Sequence, residues 1–240
     1  MTKINVFFNK IMNLFKEIFK DKKKLLIFVI GVVVFFLLIF ICFFNKNGFM
    51  GILKNPDGER FKSEYEKLNG VVTKDGKEYP EVNISVNNNF KYTDIDGVLD
   101  IFNNRGDAVI YFGYPSCLYC RTAIQILYDT AKNTDLNNIY YLDVEDKNNK
   151  YDDLMNILDK EFIDNETRSK KIYSPLVLFI TDGKVVSYNK GTLFSQEDPY
   201  MPLDEFQRKG LSWIYEHGIN DVLESIKVKN GSLNSNNDNI

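Results

Sequence analysis

Histidine is nearly absent: His217 is the only one in 240 residues. That excludes a histidine-rich metal site and any catalytic triad that needs a second histidine. Cysteine is scarce as well. Three residues, Cys42, Cys117 and Cys120, are too few for a domain stapled by disulfides. Six prolines and 14 glycines exclude collagen-like and proline-rich chains. There is no excess of positive charge either. The net charge of −3 argues against a surface that coats nucleic acid, so no nucleic-acid partner is expected. Hydrophobic residues make up 44% and charged residues 26%, which excludes a wholly disordered chain. The length allows one sizeable domain with appendages, or two small domains.

The averages conceal an asymmetry. Residues 25–44 read LLIFVIGVVVFFLLIFICFF, a run without a charge. As a helix these twenty residues span about 30 Å, the thickness of a bilayer's hydrocarbon core, which predicts a single transmembrane helix. Seven lysines against two acidic residues precede the run, and only Lys46 and Lys54 follow it closely. The positive-inside rule then puts residues 1–24 in the cytoplasm and everything after the run outside the cell membrane. The run is too long for a signal peptide, and Asn45-Lys46-Asn47-Gly48 is unlike a cleavage site. It is therefore expected to stay as an anchor, with Cys42 an inert residue inside it. Ile4, Phe7, Phe8, Ile11, Leu14, Phe15, Ile18 and Phe19 recur at helical spacing among lysines. They predict a basic amphipathic helix suited to an anionic inner leaflet, either reinforcing orientation or docking a membrane partner.

Residues 45–56 read as a spacer, 57–227 as the extracytoplasmic domain with a core at about 90–190, and 228–240 as a disordered Asn-, Ser- and Gly-bearing tail. A helix is predicted to start after Asp57 as N-cap, with Phe61, Tyr65 and Leu68 inward and Gly70 closing it. Val82, Ile84 and Val86 alternate with polar residues and predict a half-buried strand. Ile95, Val98, Leu99 and Phe102 mark the next helix. Residues 108–112 are an apolar β-type run of the kind buried on both faces of a sheet. A turn at 113–116 leads into a helix with Ile124, Leu127, Tyr128 and Ala131 on one face. A strand at 139–144, a helix at about 151–163, and strands 176–180 and 184–188 around Asp182-Gly183 follow. A helical region at 203–226, with a break at Gly218, closes the domain, and Trp213 is read as packing with Leu211 and Tyr215. The order predicts an α/β sandwich with a central mixed sheet: parallel crossovers first, an antiparallel hairpin last.

The chemistry concentrates at Cys117-Leu118-Tyr119-Cys120. Two cysteines three apart, where a buried strand meets a helix, place Cys117 among free N–H groups at the positive end of the helix dipole. Cys120 lies one turn further on, within bonding reach. Cys117 can then attack a substrate disulfide and Cys120 can resolve the mixed disulfide, or the pair can run in reverse. Structural zinc is disfavoured because no second pair of ligands exists. A purely structural disulfide is disfavoured because so short a loop removes little chain entropy. No metal or other cofactor is expected. Far along the chain, Ser174-Pro175 directly precedes an apolar strand, a place that suits a cis peptide and not an ordinary central ladder residue.

Together, from about Asp94 to Tyr188, these residues resemble the thioredoxin-like family. That resemblance implies a thioredoxin-like fold with Cys117 as nucleophile and Cys120 as resolving thiol. It also implies a cis Pro175 packed beside the cysteines, and Ser174 holding the substrate peptide as an added strand. Leu118 and Tyr119, between the cysteines, join Ser174 and Pro175 as expected substrate contacts. The run Tyr111 to Cys117 leading into Cys120-Arg121, with the extra elements before Asp94, is also similar to membrane-anchored bacteriocin-transport accessory proteins of Gram-positive bacteria. The chain departs from thioredoxins proper: Leu118-Tyr119 replace Gly-Pro, and Ser116 replaces Trp. The family's buried Asp and its Lys partner fall at Tyr111 and Tyr141. Asp143 is an alternative carboxylate but reads as a solvated strand end, and Arg121 reads equally as a thiolate partner or a plain surface charge. Gly191 to Pro202 reads as a long loop able to form a lip near the site.

The functional expectation is a membrane-anchored extracytoplasmic thiol–disulfide oxidoreductase. Its partners would be disulfide- or thiol-containing proteins outside the cell, with a membrane redox partner or a peptide exporter beside it. The alternative is a thioredoxin-fold binding or accessory module for peptide or bacteriocin export, with a CxxC that is not catalytic.

Overall fold

A computed structural model of the chain describes residues 22–44, 55–146, 152–158, 162–164, 171–193 and 195–237. The chain divides into two units, one ending at Lys54 and one beginning at Asn55. In the first, helix α1 (Lys22–Phe44) covers the apolar run. Its side chains from Leu26 to Leu37 are exposed all round, a stretch of about 18 Å. Among the described residues no helix is long and apolar enough to cross a membrane. The amphipathic segment before Lys22, most of the spacer and the side chain of Cys42 lie outside the described residues.

The second unit is an α/β domain. Helix α2 (Pro56–Glu66) begins two residues earlier than the sequence suggests, with Asn55 as N-cap residue and Pro56 in the first turn. Proline lacks the N–H that a first turn leaves unused, so it belongs there. Asp57 is not the cap; its carboxylate accepts from the backbone N–H of Tyr92 at 3.3 Å. The strand expected at 82–86 does not form. Val82 and Ile84 are buried as the alternation requires. Their backbone is satisfied by side chains instead of a ladder: Val82 N–H by Asn69, Asn83 N–H by Gln125, Ile84 N–H by Glu66.

The strands are β1 (Phe90–Tyr92), β2 (Ala108–Gly113), β3 (Ile139–Asp143), β6 (Leu176–Thr181) and β7 (Lys184–Lys190), in sheet order β1-β3-β2-β6-β7. The first three are parallel; β6 runs antiparallel to β2 and to β7. A second, two-stranded sheet joins β4 (Ile163–Asp164) and β5 (Lys171–Ile172). The hairpin at Asp182-Gly183 has positive φ at both residues, 54° and 70°. A type I′ turn demands this, and Asp-Gly meets it at little cost.

Helices α3 (Ile95–Asn103), α4 (Leu118–Ala131), α5 (Asp152–Ile157) and α6 (Glu205–Asn237) complete the layers. The period-2 alternation sorts them. Val109, Tyr111, Tyr141, Val177 and Phe179 point to the face covered by α2, α4 and α6. Ala108, Ile110, Phe112, Leu142, Leu176 and Leu178 point to the face covered by α3 and α5. All six residues of β2 are buried, as a strand flanked by helices on both sides must be.

Three expectations change. Helix α5 stops at Ile157, short of 163. Helix α6 runs without a break through Gly218 and on to Asn237, past the point where the tail was expected to become disordered. Gly218 is there for proximity: a Cβ would lie within 2.4–2.6 Å of the Phe179 ring. Trp213, read as packing, is 60% exposed while Leu211 and Tyr215 are buried, because the inward positions of α6 run 211, 215, 219 and 222.

Candidate active site

The C-terminal end of β2 delivers the chain to the cysteine pair. Cys117 is the N-cap of α4 with extended backbone, and its Sγ accepts the N–H of Cys120 at 3.1 Å. The two Cα atoms are 5.0 Å apart and the sulfurs lie at disulfide distance. Cys117 keeps a sliver of exposure, 9%, whereas Cys120 has none. The first residue of the pair borders solvent; the second is sealed behind it. Leu118 and Tyr119 are half-buried, and Tyr119 packs against the core.

Register brings the second element to the same end of the sheet. Phe112 pairs with Leu176, so Pro175 falls opposite Gly113, just before the turn that carries Cys117. The Ser174–Pro175 peptide is cis, as the sequence suggests. Pro175 is buried and its carbonyl accepts from Gly191 N–H at 2.8 Å; Ser174 is half-buried.

Beneath the cysteines lies a tyrosine cluster. Tyr111 donates to the carbonyl oxygen of Cys120 at 3.2 Å, and Tyr65 donates to the Tyr111 hydroxyl at 3.4 Å. Burial pushes the hydroxyls of Tyr65, Tyr111 and Tyr141 well above the ordinary tyrosine range, so all three stay neutral. None of them can serve as a base for Cys120. Asp143, at the end of β3, is half-buried, not freely solvated. Burial raises its carboxyl, against a backbone hydrogen bond from Glu145 that lowers it. It lines a cleft of about 600 Å³ with Arg60, Tyr92, Asp94, Glu145 and Asp146.

Arg121 is the residue that sequence reasoning left undecided, and it is not a surface charge. Its exposure is 0%. Nε donates to Pro80 O at 2.6 Å, Nη1 to Tyr65 O at 2.7 Å and Pro115 O at 3.2 Å, and Nη2 to Asn69 Oδ1 at 2.6 Å. The signal was in the spacing: Arg121 stands three before Ile124 on the inward stripe of α4.

The loop from Gly191 to Pro202 does come against the CxxC helix. Tyr200 donates to Asp75 at 2.9 Å and bonds Thr73 at 3.1 Å, and Lys77 pairs with Asp198 at 2.9 Å. With Tyr79 and Pro80 it encloses a groove of about 350 Å³ beside Thr122, Gln125 and Ile126 of α4.

No protein-family model matches the chain, and no curated protein was found to be similar to it.

Proposed function

We propose that the domain is a thioredoxin-like thiol–disulfide oxidoreductase, tethered by the apolar run at its N-terminus and acting outside the cell membrane on disulfide- or thiol-containing proteins. The observation that carries the reading is the unequal pair: Cys117 reachable, capped by a backbone N–H at the start of α4, and Cys120 buried one turn behind. A thiolate at a helix start is stabilised by the unpaired amides and the dipole there, and the thiolate is the nucleophile. Cys117 attacks one sulfur of a substrate disulfide, and the other leaves as a thiolate. Cys120 then attacks Cys117 Sγ, closing the protein disulfide and releasing the second substrate thiol. In the reverse direction the protein disulfide passes to a substrate dithiol. The strand order, the CxxC at the β2–α4 junction and the Ser174–Pro175 step before β6 support the fold assignment.

Cys120→Ser tests it. Attack remains possible but resolution does not, so Cys117 should accumulate mixed disulfides with outside proteins, seen as dithiothreitol-sensitive adducts. Cys117→Ser should trap far fewer. Expressed Cys120→Ser protein without such adducts overturns the oxidoreductase reading and leaves a binding module.

A further inference from the structure

A guanidinium is protonated at every pH a protein meets, so burying Arg121 buries a positive charge. Charges taken out of water are normally paired with an opposite charge. Here every partner is neutral: three backbone carbonyls and one amide oxygen, with the Tyr79 ring 5.6 Å from the guanidinium carbon. Among the described residues no carboxylate pairs with it. One of the carbonyls, Tyr65 O, belongs to the last turn of α2, the negative end of that helix. Dipoles of this kind hold a charge in place without cancelling it, and its field reaches across the low-dielectric interior.

Chain connectivity and the hydrogen bonds of the side chain tie that charge to the segment carrying the cysteines. Arg121 follows Cys120 directly, and its side chain bonds the carbonyl of Pro115, two residues before Cys117. Its own N–H donates to Cys117 O at 3.1 Å. The guanidinium therefore clips together the two ends of the motif. We infer that Arg121 is the counter-charge of the Cys117 thiolate, a positioning residue that makes the Cys117–Cys120 disulfide a stronger oxidant; this rests on the oxidoreductase reading above. In the disulfide form, among the described residues, no anion is bonded to the buried cation. Reduction supplies one: the protein disulfide and two glutathione thiols give Cys117 thiolate, Cys120 thiol, glutathione disulfide and one proton. Two electrons pass from the glutathione sulfurs to the protein sulfurs. Whatever stabilises the thiolate pulls this equilibrium towards the reduced protein.

The other ionisable groups at this corner do not duplicate the role. Tyr65 on α2, Tyr111 on β2, Tyr141 on β3 and Tyr114 in the loop before Cys117 are neutral hydroxyls, each raised by burial. Tyr79 and Tyr119 are phenols too. Asp143 at the end of β3, Glu145 beyond it, and Glu66 at the end of α2 are carboxylates and oppose a thiolate. Glu66 is engaged by Lys62 and by the Ile84 N–H. Apart from the dipole of α4, Arg121 is the positive element among the described residues of this corner.

The experiment uses the full-length chain in detergent, as wild type, Arg121→Met and Arg121→Lys, with Arg121→Gln replacing the Met variant if that fails to fold. The rate of iodoacetamide labelling is followed against pH in phosphine-reduced protein, resolved by peptide to separate Cys42. The disulfide is separately equilibrated with glutathione. Wild-type Cys117 should titrate below the ordinary thiol value of about 8.5. Removing the charge should raise its apparent pKa by about one unit and, at a pH above both values, move the glutathione equilibrium about tenfold towards the disulfide. Arg121→Lys should recover most of both. Wild-type Cys117 titrating at 8.5 or above overturns the proposal. So does a neutral variant that loses stability but keeps the wild-type pH profile, or a Lys variant shifted as far as the Met variant. A wild-type pair that does not exchange with glutathione overturns the oxidoreductase reading instead, and the labelling profile still decides the charge.

Discussion

Tyr111 and Tyr141 face each other in register across β2 and β3, their rings stacked with centroids 5.8 Å apart. These are the two positions where the resemblance to thioredoxins calls for a carboxylate and a lysine. In this chain those positions hold two neutral aromatic rings, packed with Tyr65 and Phe61. Proton exchange at Cys120 cannot run through a buried carboxylate on β2.

Tyr111→Phe removes the hydroxyl that donates to Cys120 O and accepts from Tyr65. The ring packing survives, so the cost should be about 1 kcal/mol, read from denaturant unfolding, with little change in the labelling of Cys117. A loss above about 3 kcal/mol would mean that the hydroxyl anchors more than these two bonds.

Gly218→Ala should destabilise the domain by about 1–3 kcal/mol although alanine is the better helix former. The new methyl would fall on the Phe179 ring, and the close approach of α6 to β6 would have to open. Pairing the change with Phe179→Leu should return part of the loss. Equal stability of Gly218→Ala and wild type in a melting experiment would show that the helix is free to move.

Asp107 precedes β2 and is nearly buried, its side chain 6% exposed. Burial pushes its carboxyl up. Hydrogen bonds from Lys229 Nζ, the Asp182 N–H and Ser225 Oγ outweigh this and hold it below the usual carboxylate range. A depressed folded pKa gives stability that is complete above the unfolded value of about 3.9 and is lost as pH falls through the lower folded value. Asp107→Asn should therefore cost about 2 kcal/mol near pH 7, and the gap from wild type should close as pH falls below about 4. A gap independent of pH would remove the charge from the explanation.

A reporter joined after Phe44 should be active outside the membrane, because seven lysines precede the apolar run. A cytoplasmic reporter signal at that junction would reverse the orientation and place the cysteines in a reducing compartment.

Much of the domain was legible because its strands obey a period of two and its helices a period of 3.6. The whole of β2, the hairpin at Asp182-Gly183 and the inward stripe of α4 are local signals. The error at 82–86 has a non-local cause. Its alternation is real, but Asn69, Glu66 and Gln125 take the hydrogen bonds that a neighbouring strand would have taken. Nothing in five residues records that competition. The short β1 was missed for the complementary reason: three residues carry too little pattern to stand apart from a loop. At the site, the cysteine pair and Ser174-Pro175 could be read directly. Arg121 was obscured by its chemistry, since a charge on an inward stripe reads as an exception until its four acceptors are in place. Trp213 erred the other way: grouped with Leu211 and Tyr215 it suggested packing, but its angular position on α6 turns it outward.

Helix α6 is the last element of the chain, yet it covers the face of the sheet on which α4 and its cysteines sit. A chain made from its N-terminus presents the β2–α4 unit well before Leu211, Tyr215 and Ile219 exist to cover Val177 and Phe179. Until then that side of the sheet is an unfinished wall, its apolar side chains open to water. A chain cut short before α6 would not be a smaller version of the protein but one that leaves the apolar face of Val177 and Phe179 to water.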